Sequence, residues 1–317
     1  MKKFIIFLTV ISLLLCCGCS AKVYTNTDTF FMMDTVVTIS ADCSDSVMKE
    51  AFELCSYYEK MFSRTIEDSD IYRLNKQGST TVSDETRLLI EKAVYYGNLS
   101  EGRYDITVAP VSSLYDFSKG VMPTKEQIEE KLGLIDYTKI EIDDNEISLN
   151  GTELDLGSIA KGYIADKLVM LLKDRNVKRA TINLGGNLYV FGDKNMKIGV
   201  RKPFSDDIAV TLRTENTSIV TSGIYQRYIE KDGKIYHHII DCKTGYGVEN
   251  DLSSVTVIGD SSADCDALST VCMLLSSEKA VELINSLPEY EAVFILRNGE
   301  IKVSDGLTLK NKNIIFK

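Results

Sequence analysis

Apolar residues recur every three or four positions in several segments of the chain, and this spacing predicts amphipathic helices. The first such segment runs from Met48 to Phe62. A second runs from Leu88 to Leu99, where Ser83 or Asp84 can cap its start. Further helices are predicted at residues 124–133, where Thr124 and Gln127 have capping-box spacing and Gly133 ends the helix, from Ser158 to about Asn176, from Asp264 to Leu275 and from Ser277 to Ser286.

Strands are predicted where apolar and polar residues alternate between turn residues. Thr35 to Ser40 alternates in this way, and residues 139–143 and 146–149 flank Asp144-Asn145 as a hairpin. Residues 179–258 consist mostly of predicted strands, and Asn298-Gly299 turns a closing hairpin. Helices and strands do not alternate regularly, so the predicted fold class is α+β, a single globular domain with mixed or antiparallel sheets packed by helices.

The start of the chain has the features of an export signal. Lys2 and Lys3 precede an apolar stretch, Phe4 to Leu15, that is too short to span a bilayer. The junction Gly18-Cys19 resembles the cleavage site of a bacterial lipoprotein, which predicts a lipid anchor at Cys19 on the extracytoplasmic face of the cell membrane. An ordinary secretory signal cut near Ala21 is the alternative. The predicted organisation is a signal peptide at residues 1–18, a tether at 19–28 and a globular domain at 29–317.

Composition narrows the classes of ligand. The 317-residue chain has a formal net charge of -10, which argues against nucleic acid as a partner. An anionic ligand must therefore be held by local groups. The chain has only 2 histidines, which argues against a histidine-rich metal site. The cysteines after Cys19 are odd in number and lack metal-binding spacing, so they are interpreted as buried small apolar residues.

Asp266 and Thr270 are candidate metal ligands. They lie four positions apart on a predicted helix, so their side chains project from the same face. Mg²⁺ prefers oxygen ligands and commonly takes one or two carboxylates together with substrate phosphates. The alternative is an acid in the first turn of a helix, stabilised by the helix dipole, followed by an ordinary threonine.

The segment from Asp155 to Tyr163 is a candidate phosphate site. It predicts a strand that enters a helix through Gly157 and Ser158, with Lys161 one turn further on. The free N–H groups of a helix start bind phosphate. Gly162 lowers helix stability, which favours close approach by another group. An ordinary turn with Ser158 as its N-cap is the alternative.

Two further segments are ambiguous alone. Gly185-Gly186 predicts a hairpin turn or a bulge. His237 and His238 lie on a predicted strand, so their side chains point to opposite faces and only one of them can reach a site.

Taken together and in order, these segments resemble the ApbE family, the FAD:protein FMN transferases. The resemblance covers nearly the whole chain after Cys19. The matching segments are Met33-Asp34-Thr35, Phe62-Ser63, Asp68 to Ile71, Leu74-Asn75, Asp105 to Pro110, Asp155 to Tyr163, Ile182 to Asn187, Thr221-Ser222-Gly223, Tyr236 to Asp241, Thr244-Gly245-Tyr246 and Asp266 to Thr270.

The resemblance implies an activity and the residues that perform it. Enzymes of this family move FMN from FAD onto a Thr or Ser hydroxyl of a target protein, forming a phosphoester and releasing AMP. His238 would be the general base. Mg²⁺ would be held by Asp266, the Thr270 hydroxyl and the backbone carbonyl of Ser158, with Ser269 also in the metal site. The FAD site would be lined by Met33, Tyr104, Asp105, Thr107, Asp155, Lys161 and Ile240.

Two other functions stay open at this point. One is a Mg²⁺-dependent FAD pyrophosphatase, and the other is a flavin-binding lipoprotein without catalysis. The partners implied by the resemblance are FAD and a protein whose acceptor Thr or Ser faces the outside of the cytoplasmic membrane.

Overall fold

The computed structural model describes residues 23–317, so the predicted signal peptide and Cys19 lie outside the described residues. The helices are α1 Asp45–Phe62, α2 Asp70–Gln77, α3 Asp84–Leu99, α4 Ala109–Ser112, α5 Lys125–Leu132, α6 Ala160–Asp174, α7 Ser262–Met273 and α8 Ser277–Asn285, with a 3-10 helix at Tyr137–Lys139. The strands are β1 Asn26–Met32, β2 Thr35–Ala41, β3 Ser79–Thr81, β4 Glu141–Asp143, β5 Glu146–Ser148, β6 Ala180–Leu184, β7 Asn187–Phe191, β8 Met196–Arg201, β9 Ile208–Thr214, β10 Thr217–Gly223, β11 Tyr228–Lys231, β12 Lys234–His237, β13 Leu252–Gly259, β14 Glu291–Leu296, β15 Ile301–Val303, β16 Leu307–Lys310 and β17 Asn313–Phe316.

An eight-stranded antiparallel sheet forms the centre of the domain, in the order β1-β2-β6-β7-β10-β13-β14-β15. Helices α1, α6 and α7 pack on one face of this sheet, where the main hydrophobic core lies. A four-stranded sheet, in the order β16-β17-β9-β8, covers part of the other face through a second apolar cluster. Strand β13 is buried along its whole length because both of its faces are covered. The α+β prediction is confirmed.

Local sequence signals account for most of the helix starts. Ser44 caps α1, and Ser83 caps α3 by accepting a hydrogen bond from the Thr86 amide at 3.2 Å. The capping box of Thr124 and Gln127 is present at the start of α5. The predicted hairpin turn at Asp144-Asn145 is also confirmed, since it joins β4 to β5.

Gly185-Gly186 forms a two-residue turn between β6 and β7, which are paired up to Leu184 and Asn187. Their φ angles are 64° and 105°, and a tight hairpin of this kind needs positive φ at both central positions. A Cβ at Gly185 would lie 2.0 Å from Thr35 Oγ1. The hairpin interpretation is therefore confirmed, and Gly185 also permits close contact with β2.

Several predicted boundaries differ from the structure. Helix α6 begins at Ala160 rather than Ser158 and ends at Asp174. Helix α7 begins at Ser262, before the predicted start at Asp264. Strand β1 begins at Asn26, inside the segment predicted as a tether. The Asn298-Gly299 turn joins β14 to β15 but does not close the chain, because β16 and β17 form a later hairpin.

The cysteines are only partly as predicted. Cys55, Cys265 and Cys272 are buried and free, as expected for small apolar residues. Cys43 and Cys242 are free but partly exposed, so the interpretation as buried residues is wrong for these two. Within residues 23–317, no helix has the length and hydropathy needed to cross a membrane.

Candidate active site

Asp266 is a buried carboxylate in α7, with 3 % of its surface exposed. Its Oδ2 accepts a hydrogen bond from the Gly162 amide at 3.0 Å. Its Oδ1 accepts no hydrogen bond from residues 23–317. Because α7 begins at Ser262 under a Ser261 cap, Asp266 lies in the second turn, and the acid of the first turn is Asp264. The alternative of Asp266 as a first-turn helix acid is therefore wrong.

The start of α6 supplies a second oxygen that accepts no hydrogen bond from the described residues, the carbonyl of Ser158. In a regular helix the Gly162 amide would bind the Ser158 carbonyl, four residues earlier. Here that amide binds Asp266 instead, and the Ser158 carbonyl accepts no hydrogen bond from the described part of the chain. The Ser158 hydroxyl donates to the Tyr104 hydroxyl at 2.8 Å, so the alternative of Ser158 as the N-cap is wrong.

Two hydroxyls on α7 complete the cluster. Ser269 is fully buried and donates to the Asp266 carbonyl at 2.9 Å, while its Oγ lies 2.7 Å from Ser222 Oγ. Thr270 Oγ1 is half-buried and makes only long contacts, 3.4 Å to the Asp266 carbonyl and 3.4 Å to Ser222 Oγ. The Thr270 hydroxyl is therefore available to a ligand, whereas the Ser269 hydroxyl already holds the Asp266 turn.

Lys161 and Asp155 lie on either side of the α6 start. Lys161 Nζ donates to the Gly157 carbonyl at 2.8 Å and lies 3.9 Å from Asp266 Oδ2. Asp155 Oδ1 accepts from the Gly157 amide at 2.9 Å, and its Oδ2 lies 3.2 Å from Arg64 Nε. Lys161 and Asp155 thus hold the turn at Gly157, one through its carbonyl and the other through its amide.

Tyr104, Asp105 and Thr107 form the neighbouring wall. Tyr104 is buried, and burial raises the pKa of its phenol. Asp105 accepts hydrogen bonds from the Thr107 amide at 2.7 Å, the Thr107 hydroxyl at 2.6 Å and the Tyr137 amide at 3.0 Å. Burial raises the pKa of Asp105 despite these donors. The Asp105 carboxylate therefore holds this loop against the 3-10 helix, through the Tyr137 amide.

No hydrogen bond or ion pair between described residues joins Met33 or Ile240 to this network. The Met33 amide, in the turn between β1 and β2, donates to Glu59 Oε1 at 2.6 Å, and Met33 has a φ of 53°. Ile240 is buried in a small apolar cluster with Val111, Tyr115 and Ile128.

The two histidines have different environments, but the prediction that both lie on a strand is wrong for His238, because β12 ends at His237. His237 is buried at the end of β12, and its Nε2 lies 3.1 Å from the Val248 carbonyl. His238 follows the strand and is half-buried, with Nδ1 3.2 Å from the Arg227 carbonyl. A carbonyl only accepts, so His238 carries its proton on Nδ1 and has its lone pair on Nε2. Burial is the main cause that lowers the pKa of His238 to about 4; the charges of Arg227 and Lys161 contribute to this shift, and the hydrogen bond to the Arg227 carbonyl opposes it.

The chain matches known proteins over most of its length. The sequence model of the ApbE family matches residues 33–294. The chain belongs to the ApbE family. An FAD:protein FMN transferase of Klebsiella pneumoniae is 33% identical over 277 residues, which cover 84% of this chain and 87% of the relative. An FAD:protein FMN transferase of Treponema pallidum is 31% identical, over 83% of this chain and 80% of the relative.

Solved structures of ApbE proteins share the fold. The crystal structure of the ApbE protein from Thermotoga maritima superimposes with a TM-score of 0.81 at 28% identity, covering 88% of this chain and 97% of that one. The apo form of the Pseudomonas stutzeri flavinyl transferase ApbE gives a TM-score of 0.77 at 26% identity, over 88% and 94% of the two chains. The prediction of an ApbE-like domain is confirmed.

Some residues around this ApbE site were not predicted from the sequence. Arg64 contacts Asp155, Glu59 holds the Met33 turn, and Arg227 positions His238. Asp166, on α6, binds the first amides of α7. Ser222 lies in the segment Thr221-Ser222-Gly223, which could have drawn attention to it. The other four have no local signal, because each acts on a residue distant in sequence.

Proposed function

We propose that this chain transfers FMN from FAD to a Thr or Ser hydroxyl of another protein, with Mg²⁺ and with release of AMP. The names of its ApbE relatives support flavin transfer to a protein. The observation that carries the proposal is that the Gly162 amide binds Asp266 Oδ2 instead of the Ser158 carbonyl, so that this carbonyl and Asp266 Oδ1 both lack a hydrogen bond from the described residues.

These groups fit a magnesium ion. Asp266 would supply one carboxylate oxygen, Ser158 a carbonyl oxygen and Thr270 a hydroxyl, all of which are hard oxygen ligands. Within residues 23–317 no cluster of three or more His, Cys, Asp or Glu side chains could hold a metal. A single carboxylate is nevertheless typical of Mg²⁺ sites in which substrate phosphates complete the coordination. When bound, the ion would neutralise charge on the pyrophosphate.

His238 would be the proton acceptor. In the proposed reaction the acceptor hydroxyl oxygen forms a bond to the phosphorus of the FMN half, and the bond from that phosphorus to the bridging oxygen breaks. AMP leaves with the bridging oxygen, and the hydroxyl proton passes to His238 Nε2. The lowered pKa keeps His238 neutral at neutral pH, so Nε2 is available as the acceptor. Lys161 lies beside Asp266, where it can hold a phosphate oxygen.

Hydrolysis of FAD is the second candidate, because the same groups would serve water in place of the acceptor hydroxyl. His238 is only half-buried as a residue, which is compatible with water as the acceptor. The products separate the two reactions, since both release AMP but only transfer leaves FMN on a protein.

One incubation tests these functions. The protein is mixed with FAD, Mg²⁺ and an acceptor protein that contains exposed threonines, and AMP and the intact mass of the acceptor are measured. Transfer predicts AMP together with an acceptor heavier by one FMN less water. AMP without the mass change would indicate a pyrophosphatase, and FAD binding without AMP would indicate a flavin carrier. The Asp266→Asn variant should lose activity, while Asp260→Asn, exposed just before α7, should keep it.

We also propose that the protein acts at the outer face of the cytoplasmic membrane, anchored by lipid at Cys19. The support is the basic start, the short apolar stretch and the Gly18-Cys19 junction. The acceptor hydroxyl would then face the same side.

A further inference from the structure

Helices α6 and α7 are joined by a carboxylate on each helix. Asp166 of α6 accepts hydrogen bonds from the Ser262 amide at 2.8 Å and the Ala263 amide at 2.9 Å. Asp266 of α7 accepts from the Gly162 amide at 3.0 Å. Ser262 and Ala263 are the first residues of α7, and Gly162 lies in the first turn of α6. Each helix therefore caps the other.

This exchange satisfies amides that neither helix can satisfy alone. The first turn of a helix has N–H groups without partners inside the helix. The Ser261 hydroxyl accepts from the Asp264 amide at 3.3 Å, donates to Asp166 Oδ2 at 3.4 Å and accepts from no other amide of α7, and α6 has no side-chain cap at its own N-cap residue. Loss of Asp166 would leave the Ser262 and Ala263 amides without an acceptor next to the α6 interface. The first turn of α7 would then lose its fixed position one turn before Asp266.

The backbones are in close contact at the same place. A Cβ on Gly162 would lie 2.2 Å from the Ser262 carbonyl oxygen and 2.7 Å from Ala263 Cα. The two carboxylates and the glycine therefore fix a single spacing of the helices. Asp264 also attaches the first turn of α7 to α3, because its Oδ1 accepts a hydrogen bond from Tyr96 Oη at 2.7 Å.

We propose that Asp166 is a positioning residue, which acts through the start of α7 to hold Asp266 against the Gly162 amide and to keep the Ser158 carbonyl unpartnered. The expected effect of Asp166 on the affinity for Mg²⁺ rests on the proposed function. The structural content of the inference, the coupling of Asp166 to the Gly162 amide, does not depend on any ligand. Asp166 itself has both oxygens occupied by α7 amides, so it is not placed as a metal ligand.

The first test measures amide hydrogen exchange in the ligand-free protein. In Asp166→Ala the Gly162 amide, which Asp166 does not touch, should exchange about tenfold faster, the effect of losing one hydrogen bond to a charged group. Asp174→Ala, an exposed position on the same helix, should leave this amide unchanged. Unchanged exchange at Gly162 in Asp166→Ala would overturn the proposal, as would an equal increase in Asp174→Ala.

A second variant covers the case in which Asp166→Ala does not fold. Asp166→Asn keeps one acceptor oxygen but places an amide group against the other N–H, so it should raise Gly162 exchange by a smaller factor. Unchanged exchange in this variant would overturn the proposal in that case.

The second test measures Mg²⁺ directly, as the MgCl₂ concentration that gives half of the maximal thermal shift in the presence of FAD. Loss of a residue that orients a metal ligand typically weakens metal affinity by about 10–100-fold. Asp166→Ala should show an increase of that size, and Asp174→Ala should not. An unchanged requirement in Asp166→Ala would show that Asp166 does not position the metal ligand. If the wild-type protein does not respond to Mg²⁺, the metal assignment under the proposed function fails, and the exchange result alone decides the role of Asp166.

Discussion

Gly162→Ala is the sharpest single perturbation of this site. The new Cβ would lie 2.2 Å from the Ser262 carbonyl oxygen, whereas real Cβ atoms essentially never come within 3.0 Å. The three nearest atoms all belong to the backbone of α7, so no side chain can move aside, and the helices must separate by on the order of 1 Å.

Two opposing effects determine how much Gly162→Ala changes the free energy of unfolding. Alanine is favoured over glycine inside a helix by up to about 1 kcal/mol. Overpacking of a close interface costs roughly 1–3 kcal/mol. We expect a net loss of about 1–2 kcal/mol in the free energy of unfolding. A shift of about 1 Å at a catalytic group can lower the rate about 10²-fold, so AMP release should fall by about that factor while the protein stays folded.

The assay pairs Gly162→Ala with Gly133→Ala. Gly133 ends α5 with a φ of -69°, and a Cβ there meets nothing within 4 Å. The control should therefore be unchanged or stabilised by about 0.4–1 kcal/mol. Denaturant unfolding gives the stability, and AMP release from FAD gives the activity. A Gly162→Ala protein as stable and as active as the wild type would refute the argument from close helix contact.

Three further predictions concern single side chains. Asp266→Asn should lower AMP release by at least about 10²-fold with an unchanged circular dichroism spectrum, and near-normal release would exclude Asp266 as a metal ligand. His238→Ala should lower transfer about 10²–10⁴-fold at unchanged FAD affinity, and more than His237→Ala does; equal losses would remove the base assignment. Because the pKa of His238 is about 4, the wild-type transfer rate should decline only as the pH falls through about 4 and the imidazole gains a proton, and a decline nearer neutrality would contradict this role. Cys19→Ala should block lipid labelling and signal cleavage, and a variant that is still processed and membrane-bound would count against the anchor.

The helices that the sequence predicted best are those whose ends are set by neighbouring residues. The caps of α3 and α5 come from side chains three positions before the amides they bind. Such signals are visible in one window of sequence. Strand β1 was missed because its segment, Asn26–Met32, is almost wholly exposed and has no apolar alternation. It is a strand because β2 pairs with it along its whole length.

The start of α6 could not be predicted in the same way. Ser158 has the residue type of an N-cap, but its hydroxyl is used by Tyr104, and the Gly162 amide is bound by a carboxylate 104 positions away. Spacing therefore identified Asp266 and Thr270 as neighbours on one helix face, yet it could not show that Asp266 also completes α6. The resemblance to the ApbE family supplied the Ser158 carbonyl as a candidate ligand, and the geometry gives the physical reason why that oxygen is available.

An acidic protein that binds an anionic ligand needs positively charged side chains close to that ligand. The net charge is -10, so long-range attraction to a pyrophosphate is unfavourable and the positive potential has to be local. Arg64 lies against the Asp155 carboxylate, which cancels much of its charge. Arg227 instead donates to the neutral Asp34 carbonyl at 3.0 Å, which leaves its charge in effect. Lys161 donates to the Gly157 carbonyl at 2.8 Å and lies 3.9 Å from Asp266 Oδ2, so that carboxylate offsets only part of its charge. The same two cations act on His238, whose pKa is lowered first by burial and then by their charges. Burial is the main reason that this imidazole stays neutral, and the cations that add to this effect also favour phosphate, so the proton acceptor and the anion site depend in part on the same two charges.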